Sequence, residues 1–401
     1  MRFDGPGIVA LAVGLAAACA LVIGVAVAAQ DVPPEDDRGD WVRIGELDLG
    51  RADHTSTLLP DGTILVAGGT SAAGRPVLTA ELVYPQSGAT RPAGTLPWGL
   101  AGHQAVALPD GRVVLSGSDG YAAGERLADE DICAIYPPLL WDPATSDFRP
   151  ILTVGDSNGS SATALPDGRV LFAGGETACI WGQSLAGLNG ARTWDPLTGE
   201  VVGAGSLNAP RAFGPSVLLD DGRVLVGGGV RLADLPAGAS VQHSGSLEAW
   251  DPDTDTWSDY GRVGLGIDRL FVLDDGVVGV VGELDDGYGM RLFDPGRGEL
   301  LPISEAQARP LRGAAVAGLD GRIVFVGGLN KSDRPVPQAL LWQPATGDRE
   351  RLRYPRSGAD TGHTATALGD GVIVVIGGRD AHDDGRVVSA VEALRPAPQP
   401  S

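Results

Sequence analysis

This sequence reads as an all-β protein, a propeller of seven four-stranded blades, and three features say so. An Asp-Gly pair followed at a fixed distance by glycine recurs seven times, at intervals of about 50 residues, which is the mark of stacked structural repeats. Each pair leads into a short, unbroken apolar run, the pattern of a strand covered on both faces. Glycine and proline make up 60 and 29 of the 401 residues, and both oppose helix interiors, which excludes a helical bundle or coiled coil.

The unit can be justified strand by strand. Strand a is a short run such as Ala162-Thr163-Ala164-Leu165. The turn after it starts at Asp61, Asp110, Asp167, Asp221, Asp275, Asp320 or Asp370. Glycine there accepts a positive φ, and the Asp carboxylate can hydrogen-bond the turn backbone. Strand b is the apolar run, as in Ile64-Leu65-Val66-Ala67 or Val170-Leu171-Phe172-Ala173. It ends at Gly68, Gly117, Gly174, Gly228, Gly282, Gly327 or Gly377, each seven residues after its Asp. Strand c closes on an aromatic before Asp-Pro or a relative of it: Tyr84, Trp141, Trp194, Trp250, Phe293 and Trp342. Asp-Pro with Thr or Gly is turn chemistry, and it leads into strand d, for example Thr256-Trp257-Ser258-Asp259-Tyr260.

In this order, Asp-Gly, Gly-Gly and Trp-Asp-Pro resemble the kelch repeat over residues 41–396. The resemblance implies a propeller with strand a innermost, and with the b–c and d–a loops on one face. It implies no single activity, because one fold hosts many functions.

The seventh unit ends after its third strand. Trp41-Val42-Arg43-Ile44-Gly45 matches Trp257-Ser258-Asp259-Tyr260-Gly261, so residues 41–46 are expected to supply the missing strand and close the ring. Ahead of them, residues 1–29 hold an uncharged apolar stretch, Gly5 to Ala29, expected to be helical. It reads either as a signal peptide cut near Ala26-Val27-Ala28 or as an uncleaved anchor long enough for the ~30 Å hydrocarbon core. Both readings put the propeller outside the cytoplasm, behind a linker at 30–40 and with a tail at 397–401. The formal charge of −21, with Lys331 the single lysine, excludes nucleic acid as a natural partner and leaves any membrane contact to that anchor. A monomer is expected.

Candidate site residues fall on the loop face. The stretch from the second glycine position to the strand-c aromatic is long in blades two, three and four (Ser118 to Trp141, Gly175 to Trp194, Gly229 to Trp250) and short in blade five (Glu283 to Phe293). Long insertions on one face mark a binding surface or neutral drift. Asp119, Glu176, Arg231 and Glu283 stand where strands leave the core and are the candidate binding residues; solvated loop positions are the plainer reading. Cys133 and Cys179 lie in adjacent loops and read most simply as a disulfide in an exported chain; free thiols or metal ligands are the rival readings, and no CxxC spacing supports the latter. His54, His103 and His363 share one repeat position in contiguous blades. They are either a three-histidine metal site or packing groups, and the resemblance, through Arg51-x-x-His54, implies packing.

No Ser/His/Asp or Cys/His arrangement and no phosphate-binding loop is present, so no catalytic residue and no cofactor are assigned. The kelch resemblance extends to galactose-oxidase-like enzymes and sialic acid mutarotases. No Tyr here precedes a His as the oxidases require, and no motif transfers mutarotase residues. The reading is an exported, non-catalytic module whose long loops of blades two to four face a protein or glycan ligand. A kelch-type carbohydrate-active enzyme is the alternative.

Overall fold

The computed structural model describes residues 40–117, 137–155, 157, 159–177, 186–230, 244–284, 287–303, 312–317, 321–330, 332, 334–380 and 382–395. The apolar leader, most of the linker, the tail and the residues Asp119, Cys133, Cys179 and Arg231 lie outside them. The described residues contain no helix and fold as seven four-stranded antiparallel sheets.

Blade one is representative. Thr55–Leu58, Ile64–Ala67, Thr79–Tyr84 and Ala89–Thr95 pair in sequence order as strands a to d. Blades two to six repeat that order. Blade seven takes Thr364–Ala367, Ile373–Ile376 and Ala390–Leu394 as strands a, b and c, and its fourth strand is Trp41–Glu46. Trp41 stands opposite Leu394 and Glu46 opposite Ala390.

The Asp-Gly turns are built alike. Asp61 Oδ1 accepts the Thr63 N–H at 2.9 Å, and Asp110, Asp167, Asp221, Asp275 and Asp370 accept the equivalent amide. The following glycine holds a positive φ, 83° at Gly62 and 87° at Gly168. The strand that follows is buried at every position in blade one (Ile64–Ala67) and in blade seven (Ile373–Ile376). That explains the missing alternation: one side of each sheet meets the blade before it and the other side the blade after it. A separate apolar cluster fills each junction. Leu65, Leu115 and Trp141 join blades one and two, for instance, and Ile64, Val374, Ile376 and Ile44 join blades seven and one. Each fully buried side chain of this size contributes about 1.5–3 kcal/mol relative to exposure.

Cross-strand register corrects one alignment. The slot of Trp141, Trp194, Trp250, Phe293 and Trp342 is occupied in blade one by Val83, opposite Ile64. Tyr84 pairs with Ala89 and so stands where blade two has Asp142. Spacing to the nearest proline misled here because Tyr84-Pro85 lacks the intervening Asp.

Indole N–H groups tie blades to their predecessors. Trp141 Nε1 donates to Ala93 O at 2.8 Å, Trp257 Nε1 to Ala204 O at 2.8 Å, and Trp41 Nε1 to Arg353 O at 2.7 Å. Trp41 and Trp257, matched in sequence, thus do the same job in blades seven and four.

Candidate functional site

Strand a begins, and strand b ends, at the same end of each blade because the two run antiparallel, Thr55 opposite Ala67. At this end the innermost strands surround an axial cavity of about 860 Å³. Its described lining comes from strand a or its approach in blades one, two, three, four, five and seven.

The three repeat-equivalent histidines are buried in this wall and turn sideways, each to the preceding blade. His103 Nε2 meets Thr55 Oγ1 at 2.9 Å, and His54 Nε2 meets Thr364 Oγ1 at 3.1 Å. His363 Nε2 donates to Val326 O at 2.9 Å. These bonds explain a glycine that turn chemistry alone does not. A Cβ on Gly68 would lie 2.9 Å from the His103 ring, one on Gly377 2.7 Å from His54, and one on Gly327 3.0 Å from His363. In these three blades the first glycine therefore clears space for the next blade's histidine ring and, closer still, for the carbonyl three residues before that histidine, Leu100 O at Gly68, Arg51 O at Gly377 and Asp360 O at Gly327. Burial pushes His54 and His103 down to about 3 and His363 to about 4, so all three are neutral near pH 7. The pairing supports the packing role, and no group of three or more His, Cys, Asp or Glu suited to a metal ion occurs among the described residues.

Sequence reasoning missed a second wall device. Arg51 is fully buried and donates to Glu81, and to the carbonyls of Gly68 and Thr79. Arg211 does the same in blade four, donating to Glu248, Gly228 O and Ser246 O. Glu81 also accepts the Asp48 amide at 2.7 Å. Glu81, Glu248 and Glu392 stand opposite Val66, Val226 and Val375, each five residues after its turn Asp, and that shared offset was the available signal. Blade seven replaces the arginine by Asp360. There Glu392 accepts the Arg356 and Ser357 amides, and the Tyr354 hydroxyl lies 2.9 Å from Asp360 Oδ1.

The cavity rim departs from the repeat in blades four and five. One residue before the histidine position the backbone is left-handed in five blades, with φ of 57° at Asp53, 63° at Gly102, 65° at Gly159, 60° at Phe213 and 64° at Gly362. Phe213 is the bulky member, and it is 43% exposed. In blade five the histidine position is Asp268, and Arg269 follows opposite Val281, where blades one and two carry Thr55 and Gln104. Elsewhere the wall is amide and hydroxyl: Gln104 Nε2 donates to Gly214 O, Gln104 Oε1 accepts the Ala162 amide, and Thr163 meets Ser216 at 2.6 Å.

Of the four candidate binding residues, Asp119 and Arg231 lie outside the described residues. Glu176 pairs through its backbone with Gly187 in a two-stranded ribbon, and its side chain lies outside the description. Glu283 is exposed and borders a separate cleft of about 230 Å³ between blades four and five, with Arg262. The structure thus brings none of the four into the axial cavity among the described residues. The aspartates 251, 253 and 255 form a c–d turn: Asp251 Oδ1 accepts the Asp253 amide, and Asp255 Oδ1 accepts the Trp250 indole N–H.

No family model matches the chain. It is 35% identical over 101 residues to Kelch-like protein 28 of Homo sapiens, a stretch covering 25% of this chain and 16% of that protein. It is likewise 35% identical over 80 residues to Kelch-like protein 28 of Mus musculus, covering 20% of this chain and 14% of the relative. The matched part is thus a small fraction of those proteins' length.

Proposed function

We propose that this kelch-like β-propeller is an exported protein-interaction module whose ligand face is the b–c loop face of blades two to four. One observation carries this reading. The three widest gaps between strands b and c run from Ser116 to Leu139, from Ala173 to Gly190 and from Gly227 to Ser246, in consecutive blades. All three open at the end where the axial cavity opens, whereas blade five closes the same connection between Leu284 and Gly287. Folding of the core requires no such excess, and binding residues concentrate on loops positioned by a rigid scaffold.

Export rests on the uncharged stretch Gly5 to Ala29, acting as a signal peptide or as an anchor. In that compartment Cys133 and Cys179 form a disulfide between neighbouring loops, and residues 41–46 latch the ring. A protein partner is favoured over a glycan, with Asp119, Glu176, Arg231 and Glu283 as contact residues.

The test is capture of surface proteins by the full chain, compared with a variant in which residues 119–131 are replaced by a short Gly-Ser segment that leaves Cys133 in place. Lost capture at an unchanged melting temperature supports the assignment. Capture retained by the shortened variant moves the ligand face elsewhere.

A further inference from the structure

Among the Asp-Gly pairs of this chain, seven have both members within the described residues. The pairs at Asp4, Asp119, Asp286 and Asp320 have members outside them. In any such pair the glycine nitrogen can attack the carboxyl carbon of the preceding side chain, because glycine places nothing in the way and the product is a small, unstrained ring. Conformation decides whether it does. The two atoms must reach a near-attack arrangement, about 3–3.5 Å apart and aligned. Hydrogen bonds that hold either of them elsewhere suppress the reaction.

Six of the seven pairs, the a–b turns at Asp61, Asp110, Asp167, Asp221, Asp275 and Asp370, hold both. Oδ1 of each aspartate accepts the amide two residues on, at 2.9–3.2 Å. Each glycine N–H donates to the leucine carbonyl three residues before it, at 2.9–3.1 Å, as Gly62 does to Leu59 O. In blades two, three and four the arginine after the glycine also takes Oδ2, with Arg112 Nε 2.8 Å from Asp110.

The seventh pair, Asp384-Gly385, has none of these restraints. It lies in the turn of the small hairpin Arg379–Asp380 and Arg386–Val387, within the b–c connection of blade seven. Among the described residues no hydrogen bond or ion pair holds the Asp384 carboxylate, and no hydrogen bond holds the Gly385 N–H. Asp384 is exposed and left-handed, with φ of 47°, a strained conformation for an L-residue. An arginine follows here too, giving the same Asp-Gly-Arg tripeptide as in blades two to four. Arg386, however, turns to Asp383 at 2.7 Å and to Asp380 at 3.2 Å. The tripeptide is constant and only the restraint differs.

We propose that Asp384 is a site of spontaneous covalent modification, where the chain isomerises to isoaspartate. The Gly385 nitrogen bonds to Asp384 Cγ, and its proton leaves with the carboxyl hydroxyl as water, closing a succinimide. A second water adds its hydroxyl to the ring carbon that was the main-chain carbonyl of Asp384. Its proton passes to the nitrogen as the bond between them breaks. One water leaves and one returns, so mass and oxidation state are unchanged. The backbone now runs through Cβ and Cγ, and the former main-chain carbonyl is a free carboxylate. The turn closed by the Arg386 N–H to Asp383 O bond at 2.8 Å is thereby lengthened by one carbon. The modification does not depend on where the ligand face lies.

The full chain is held folded at neutral pH and physiological temperature over weeks, sampled, and digested with trypsin. Residues 380–386 form one tryptic peptide. Isoaspartate is read there as a second chromatographic peak of unchanged mass, located by electron-transfer fragmentation and labelled by an isoaspartyl methyltransferase. It accumulates at Asp384 roughly tenfold or more faster than at the six turn pairs, as the loss of two hydrogen bonds of ordinary net strength requires. In urea, where every restraint is gone, that preference disappears. Asp384→Glu, whose ring would be one atom larger, loses the signal at an unchanged melting temperature. No isoaspartate at Asp384 in the folded chain, equal accumulation at the turn pairs, or a preference that survives in urea overturns the proposal.

Discussion

At the scale of single residues, the interblade histidines make stability depend on pH in a definite direction. Their pKa values in the fold, about 3 to 4, lie below the unfolded value near 6.5, so the unfolded chain binds the extra protons. Their stabilisation is complete above pH 6.5 and is lost as pH falls toward 4, at about 1.4 kcal/mol per histidine for each pH unit. Urea unfolding between pH 7 and 5 should show this loss, and His103→Gln should make the slope shallower by about one proton. The depressed carboxylates Asp110 and Asp221, each held by its neighbouring arginine, act in the same direction, but only nearer pH 4 and below. Arg51→Ala should cost about 3–5 kcal/mol in the same assay, because it strands the buried Glu81 carboxylate. The recurring glycine was legible in the sequence; its reason was not, because the ring it accommodates belongs to the next blade, as with Gly68 and His103.

At the scale of elements, turns and inner strands were readable because their causes are local. Asp61 and Gly62 make their turn within a few residues, and Ile64–Ala67 has no polar position to expose. Strand c was read one residue off in blade one, since register is set by partners across the sheet and not by distance to a proline. The Arg51–Glu81 and Arg211–Glu248 pairs were missed because they join residues on different elements, at separations that composition does not flag. The strand Trp41–Glu46 offers the sharpest test at this scale. Trp41→Ala removes a buried indole and its bond to Arg353 O, and is expected to cost about 3–5 kcal/mol in urea unfolding. A change below about 1 kcal/mol would show that this strand does not secure the seventh sheet.

At the scale of the whole molecule, seven junctions carry the same kind of apolar filling, and symmetry makes the exceptions informative. Blades two to four carry the long connections, while blades four and five carry the altered rim residues Phe213 and Arg269. The axial cavity could not be read from sequence, since its wall gathers one short strand from each of six described blades, far apart along the chain. A chain prepared without residues 1–29, and so without Cys19, and purified in the absence of reductant should contain no free thiol if Cys133 and Cys179 are bridged; two titratable thiols after unfolding would exclude the bond.

The pairing of Trp41–Glu46 with Ala390–Leu394 also bears on biosynthesis. A chain emerging from the ribosome makes its first strand some 350 residues before that strand's partner, and contacts so distant in sequence form slowly. Until the last blade is made, Trp41 and Ile44 have no sheet to join, and an unpaired apolar strand is a template for aggregation. The chain therefore depends most on a holdase while Trp41–Glu46 waits for its partner, and pulse-chase crosslinking should find chaperones on this stretch and see them leave only once Ala390–Leu394 has been made.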